Sequence, residues 1–280
     1  MIKNIYSLTK FHLSFTVSLS CVFGYILAKN SFDMGLLYPF IAVLFLALGV
    51  SALNQIQEYK QDALMPRTKN RPLPSGNMSY AAALTVSLSI ITISMIFAYL
   101  THGFFGVILF FVVIIIYNLL YTPAKRKSIY AAVYGAVLGV IPPYYGWISA
   151  GESALDLGFI ALGVFFFVWQ IPHFWLLNLK FYKQYEEAGF PTITKAFGER
   201  SLERMTFVWL LLTLICGTFL IFVYQVESYI ILGLILVLTL YTLFTISKLL
   251  KNRNYIYNFI NINVYMLLLM IILCVNALYM

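Results

Sequence analysis

The chain has 280 residues, 62% of them hydrophobic and only 10% charged. A soluble domain of that length cannot hide so much apolar surface. The composition therefore excludes a soluble globular protein and predicts an all-α integral membrane protein, one polytopic domain over 1–280 in a lipid bilayer. The net charge of +8 implies no nucleic acid as partner, because the basic residues fall between apolar runs, where they set topology. Cys21, Cys216 and Cys274 lie inside apolar runs without paired or metal-ligand spacing, and read as core or lipid-facing residues.

Runs of spanning length fall at 11–28, 36–53, 80–100, 104–121, 129–149, 155–178, 206–224, 228–247 and 256–279, which predicts a nine-transmembrane-helix bundle. The first run lacks a small-x-small exit and reads as a retained span, not a cleaved signal. The N-terminus and the connections 54–79, 122–128, 179–205 and 248–255 carry every Lys and Arg except Lys29. Asp33, Glu152, Asp156 and Glu227 lie with Lys29 on the other side. The excess of positive charge places the N-terminus and the long polar loops in the cytoplasm and the C-terminus outside. No charge interrupts a span, which argues against an ion channel or a proton pump.

The densest polar segment follows the second run, at 54–76. Asn54, Glu58 and Asp62 stand four residues apart, so on a helix they share one face. Pro66 stops that helix, and Arg67, Lys69 and Arg71 follow before Pro72 and Pro74. Two carboxylates and an amide beside a cluster of cations suit a Mg²⁺–phosphate ligand. An ordinary solvated cytoplasmic loop has the same composition.

At the end of the fourth run stands Y117-N-L-L-Y-T-P-A-K-R-K127. Pro123 is expected to break the helix and leave Lys125, Arg126 and Lys127 at the membrane surface, a pattern that also suits plain interfacial anchoring. The fifth run holds G135-A-V-L-G139 and I141-P-P-Y-Y-G-W147, small residues for close helix contact followed by a proline pair expected to kink the span. In the sixth run, W169-Q-I-P-H-F-W175 sets Trp169 and Trp175 as flat surfaces around the His173 imidazole. A kinked helix whose histidine bonds a neighbouring carbonyl would look the same.

The string N-x-x-x-E-x-x-x-D-x-x-M-x-R-T-x-x-R-P-L resembles the first signature of the UbiA superfamily of membrane prenyltransferases. Within it, the tail of the string, the I-P-P-x-x-G-W run and W-Q-x-P-H-F-W are similar to the protoheme IX farnesyltransferase (haem O synthase) branch. That branch usually has Asp where this chain has Glu58. Tyr121 and Lys125 give the Y-x-x-x-K spacing of another superfamily motif. The likeness weakens at 179–191, where haem O synthases show an Asp pair and this chain has Lys183 and Gln184 before Tyr185.

The resemblance implies a Mg²⁺-dependent enzyme of the bacterial cytoplasmic (inner) membrane that transfers farnesyl from farnesyl diphosphate to protohaem IX. Glu58 and Asp62 would hold Mg²⁺, with Asn54 as a further ligand or orienter. Arg67, Lys69, Arg71, Lys125 and Arg126 would bind the diphosphate, and Tyr121 would shield the allylic cation. Trp169, Gln170, His173 and Trp175 would bind the acceptor. Glu186 would replace the displaced acids as a metal ligand, unless Lys183 supplies its own charge instead. A relative that prenylates an aromatic quinone precursor would share the diphosphate loop but not the W-Q-x-P-H-F-W stretch. A transporter or haem-handling membrane protein is the non-enzymatic alternative.

Overall fold

Once lipid replaces water, each backbone polar group in an apolar run needs an internal partner, and a helix supplies one within the segment. The computed structural model describes residues 1–279, apart from the side chain of Ala132, and every regular element among them is helical. In chain order these are α1 (Ile2–Leu8), α2 (Phe11–Lys29), a single tight turn Met34–Leu36, α3 (Leu37–Leu64) and α4 (Tyr80–Ile114). A wide π-helical stretch Ile115–Tyr121 leads into the short α5 (Thr122–Ala124), followed by α6 (Ala131–Ser149), α7 (Leu157–Glu187) and α8 (Ile193–Phe197). The chain ends with α9 (Glu199–Val223), α10 (Tyr229–Ser247), α11 (Leu249–Asn252) and α12 (Tyr255–Tyr279). Among the described residues, 7 helical stretches are long and apolar enough to cross a bilayer: Phe11–Lys29, Met34–Leu64, Tyr80–Ala124, Leu157–Glu187, Glu199–Val223, Tyr229–Asn252 and Tyr255–Tyr279.

The chain divides into two compact units. The first comprises Met1–Val22, Met34–Ala131 and Lys183–Pro191. Its frame is the pair α3 and α4, which meet through small residues. Ser87 Oγ donates to the Gly49 carbonyl at 3.0 Å and Ser94 Oγ to the Ala42 carbonyl at 2.9 Å. A serine hydroxyl facing hydrocarbon needs an acceptor, and a side chain no larger than a methyl group lets one come close. As one straight rod α4 would be about 52 Å long, well beyond the roughly 30 Å of a bilayer core. It is broken at His102 and Gly103, and Gly103 takes φ 58°, open to glycine at little cost. The break falls where the sequence separates its third and fourth apolar runs. α1 is held against this pair by the fully buried Leu8, packed with Ala52, Ile56 and Ala83.

The second unit comprises Phe23–Asp33, Ala132–Tyr182 and Thr192–Met280. α9, α10 and α12 pack against one another, and α6 runs through Pro142 and Pro143 as one helix. Gly24 approaches α6 so closely that an added Cβ would lie 2.1 Å from the Pro143 carbonyl oxygen. Two of the polar side chains on α12 find partners inside the unit. Asn261 Nδ2 donates to Thr245 Oγ1, and the Tyr255 hydroxyl reaches Glu199 and Glu203.

Candidate active site

The C-terminal third of α3 carries Asn54, Glu58 and Asp62 on one face, all three buried. Burial of two carboxylates is tolerable only with partners, and the surrounding chain supplies them. Asn54 Nδ2 donates to Glu58 Oε2 at 3.0 Å and to Thr122 Oγ1 at 3.1 Å. Lys125 Nζ straddles the Glu58 carboxylate, 2.7 Å from Oε1 and 2.9 Å from Oε2. Asp62 Oδ2 accepts from Arg71 Nη1 at 2.7 Å. Charge-assisted bonds of this length are the strong kind, and they fix both carboxylates toward one polar cluster.

Two local structures bring the cations to the acids. α3 stops at Leu64 because Met65, next to Pro66, is forced into extended backbone (φ −99°, ψ 127°). The chain then coils in successive turns over 65–78, with buried Thr68 donating from Oγ1 to the Asp62 carbonyl at 2.9 Å. That coil turns Arg71 inward. Arg67 and Lys69 are exposed, and Arg67 Nη2 donates instead to the Tyr185 hydroxyl at 3.0 Å. Of the three expected loop cations, Arg71 is paired with an α3 carboxylate.

The second structure is the wide turn Ile115–Tyr121. Asn118 and Gln57 bond reciprocally, Gln57 Nε2 to the Asn118 carbonyl at 2.9 Å and Asn118 Nδ2 to Gln57 Oε1 at 3.1 Å. Pro123 does not break this helix, contrary to expectation. Thr122 keeps helical dihedrals (φ −61°, ψ −45°) and Pro123 sits in the first turn of α5, where a missing N–H costs nothing. The helical path therefore carries Lys125 back to Glu58 and over the Tyr121 ring, 5.0 Å from its centroid. Arg126 is exposed and donates to the Gln57 carbonyl.

Glu186 lies half-buried in the last turn of α7 beside Tyr185, within the first unit, whereas Lys183 and Glu187 are exposed.

Lys10 also reaches this cluster, although its sequence position reads only as a topology charge. It is half-buried between α1 and α2, and its Nζ donates to Asn54 Oδ1 at 3.0 Å. Burial first, then the Arg71 and Lys125 cations, push its ammonium pKa down to about 7, against a smaller pull from Glu58 and Asp62. No spacing rule connects residue 10 with residue 54; only the packing of α1 on α3 does.

In the second unit, Trp169 and His173 stand one turn apart on α7 and face α12. Trp169 Nε1 donates to the Ile262 carbonyl at 3.3 Å, and His173 Nδ1 lies 2.9 Å from Asn263 Oδ1. The His173 ring is 5.1 Å from Trp169 and 4.7 Å from Phe259, centroid to centroid. Gln170 covers Gly139, its Oε1 2.9 Å from where a Cβ would stand. Trp175 corrects the expectation that both tryptophans flank the imidazole. Two residues beyond His173, it is turned by about 200° around the helix. It is buried against Trp209 of α9, with ring centroids 6.1 Å apart.

A family model for the UbiA prenyltransferase family matches residues 17–277. The chain belongs to that family and is an integral-membrane prenyltransferase. Within it, the chain is similar to the protoheme IX farnesyltransferase of Oleidesulfovibrio alaskensis, 36% identical over 191 residues that cover 68% of either chain. It is also similar to that of Nitratidesulfovibrio vulgaris, 30% identical over 208 residues, 74% of this chain and 72% of the relative. The fold matches a UbiA homolog from Archaeoglobus fulgidus bound to GPP and Mg²⁺, with TM-score 0.73 at 15% identity over 99% of this chain and 100% of the other.

Proposed function

We propose that the chain transfers a farnesyl group from farnesyl diphosphate to protohaem IX and releases diphosphate. The observation that carries this reading is the Asn54–Glu58–Asp62 face with Lys125 and Arg71 already on its carboxylates. A buried face that alternates acids and cations suits a magnesium diphosphate, whose metal takes the acids and whose oxygens take the cations.

The donor set fits Mg²⁺. Glu58 and Asp62 offer only oxygen, one turn apart. No group of three or more His, Cys, Asp or Glu among the described residues would hold a metal. An ion sharing two carboxylates with substrate phosphate and water is the usual Mg²⁺ arrangement. When bound, Mg²⁺ supplies charge neutralisation at the diphosphate oxygens. Asn54 orients Glu58, and Glu186 is the candidate for a further ligand. Lys125 and Arg71 pass from carboxylate to phosphate oxygens and hold the negative charge that develops as the C1–O bond breaks. Arg67, Lys69 and Arg126 attract the diphosphate from the exposed rim. The Tyr121 ring walls the allylic cation off from water.

Trp169, His173 and Gln170 belong to the acceptor side, where flat rings suit a porphyrin. A haem vinyl group attacks farnesyl C1, and water adds to the resulting cation with loss of a proton, giving a hydroxyethylfarnesyl side chain. The chain acts as one prenyltransferase domain of nine spans in the bacterial cytoplasmic membrane: the seven long apolar stretches, with the break in α4 separating two spans, and α6. The positive loops face the cytoplasm and the C-terminus lies outside. Membranes containing the protein, incubated with labelled farnesyl diphosphate and either haem or a hydroxybenzoate, test this directly. Label on haem is expected. Label on hydroxybenzoate alone would make the chain a quinone-precursor enzyme, and label on neither would end the proposal.

A further inference from the structure

We infer that α1 is a built part of the diphosphate site and that it delivers the Lys10 ammonium as a third cation contacting the diphosphate of the prenyl donor. This rests on the reading of the α3 face as the diphosphate site.

The argument begins with the charge count. Lys125 meets Glu58 and Arg71 meets Asp62, each within 2.7 Å, so these two pairs neutralise one another. The hydrogen bond of Lys10 goes to the neutral Asn54 amide instead. The cluster of Lys10, Arg71, Lys125, Glu58 and Asp62 therefore carries one excess positive charge, that of the half-buried Lys10 ammonium. A cation pressed among other cations is stabilised by an anion, and a diphosphate is the anion this fold handles.

The placement is held on several sides. Gln55 Nε2, on the same helix as Asn54, donates to the Ser7 and Leu8 carbonyls at 2.7 and 3.0 Å and so caps the end of α1. Asn4 Nδ2 donates to the Asn77 carbonyl at 2.9 Å, tying the helix to the end of the coiled loop. Lys10 itself takes φ 48°, a left-handed conformation that a lysine keeps only where its surroundings hold it. A lysine that served only to mark the cytoplasmic side would point into water and would need none of these contacts.

Calorimetric titration of the detergent-solubilised full chain with inorganic pyrophosphate at fixed Mg²⁺, alongside thermal unfolding, tests the inference. Lys10→Met is expected to weaken pyrophosphate binding by roughly tenfold or more, the scale of one charge-assisted bond. The same variant should leave the unfolding midpoint of the empty protein unchanged or higher, because a repelled cation has gone. Lys10→Arg should keep most of the affinity. Lys125→Met controls for the site as a whole. Normal affinity in Lys10→Met beside weak binding in Lys125→Met would overturn the role of Lys10 and spare the site. A midpoint that falls together with affinity would mark Lys10 as structural and overturn it too. Unchanged affinity in both variants, or no binding by the wild type, would overturn the site reading itself.

Discussion

The polar end of α3 and the aromatic face of α7 are built on opposite plans. The first is a closed electrostatic circuit, in which Asn54, Glu58, Asp62, Lys125 and Arg71 each meet a partner of complementary charge or hydrogen-bonding sense. The second is a stack of rings with two polar contacts to α12, His173 with Asn263 and Trp169 with the Ile262 carbonyl. A charge circuit fails when one member is lost, since the remaining partner is left buried and uncompensated. A ring stack loses only the area and shape of the missing ring. The two regions should therefore answer to substitution in different ways, and each experiment below contrasts them.

The largest effect is expected at Asp62. Asp62→Asn keeps the shape but not the charge, and prenyl transfer should fall on the order of a thousandfold, the scale of removing a several-kcal/mol electrostatic contribution. Circular dichroism should show the protein still helical, because Arg71, 22% exposed, can turn outward. Near-normal turnover at ordinary Mg²⁺ would remove Asp62 from metal ligation.

The α7 face is sharpened by comparing its two ends. His173→Ala should raise the KM for haem by roughly tenfold while pyrophosphate binding stays within twofold, since the ring belongs to the acceptor side only. Trp175→Ala empties a buried position against Trp209 and should cost about 3–5 kcal/mol of stability, seen as a lower unfolding midpoint. Equal loss of both substrates in His173→Ala would assign that ring to packing as well.

Smaller changes are expected at Glu186 and Lys183, near the end of α7. Glu186→Ala should raise the Mg²⁺ concentration for half-maximal activity a few-fold. Lys183→Ala, at an exposed site, should change neither that value nor the farnesyl diphosphate KM. A raised KM for Lys183→Ala with an unchanged Mg²⁺ requirement for Glu186→Ala would reverse the two assignments.

The smallest effect is a pH dependence. The Lys10 pKa lies at about 7 in the folded chain against an ordinary 10.5, so across that window the unfolded chain binds a proton that the folded chain does not. Its contribution to stability is therefore most unfavourable below pH 7 and improves as pH rises toward 10.5. The unfolding midpoint of Lys10→Met should exceed that of the wild type at pH 6, and the gap should narrow by pH 9. A constant gap would show that the Lys10 charge is not what separates the two proteins.

Much of the charge circuit was legible in the chain because it lies within one helix. Residues four apart on α3 share a face whatever surrounds them, and proline next to Met65 ends that helix by local sterics. Which basic residues reach the acids was not legible. Arg67, Lys69 and Arg71 are equivalent as text, and only the coil over 65–78 selects Arg71. The same holds for the ring stack. The sequence W169-Q-I-P-H-F-W175 puts three flat side chains within seven residues, but helical rotation sends Trp175 toward α9 and leaves His173 with α12.

By itself the sequence determined a membrane-embedded all-helical chain and the acid–amide face with its family. These follow from local chemistry: apolar run length, the helical repeat, proline and charge spacing. Only the tertiary structure decided that the helix continues through Pro123 to bring Lys125 onto Glu58, and that α1 folds back to set Lys10 against Asn54. Those contacts join residues 67 and 44 positions apart. Over such distances a partner is chosen by the packing of whole helices, which no short-range pattern records.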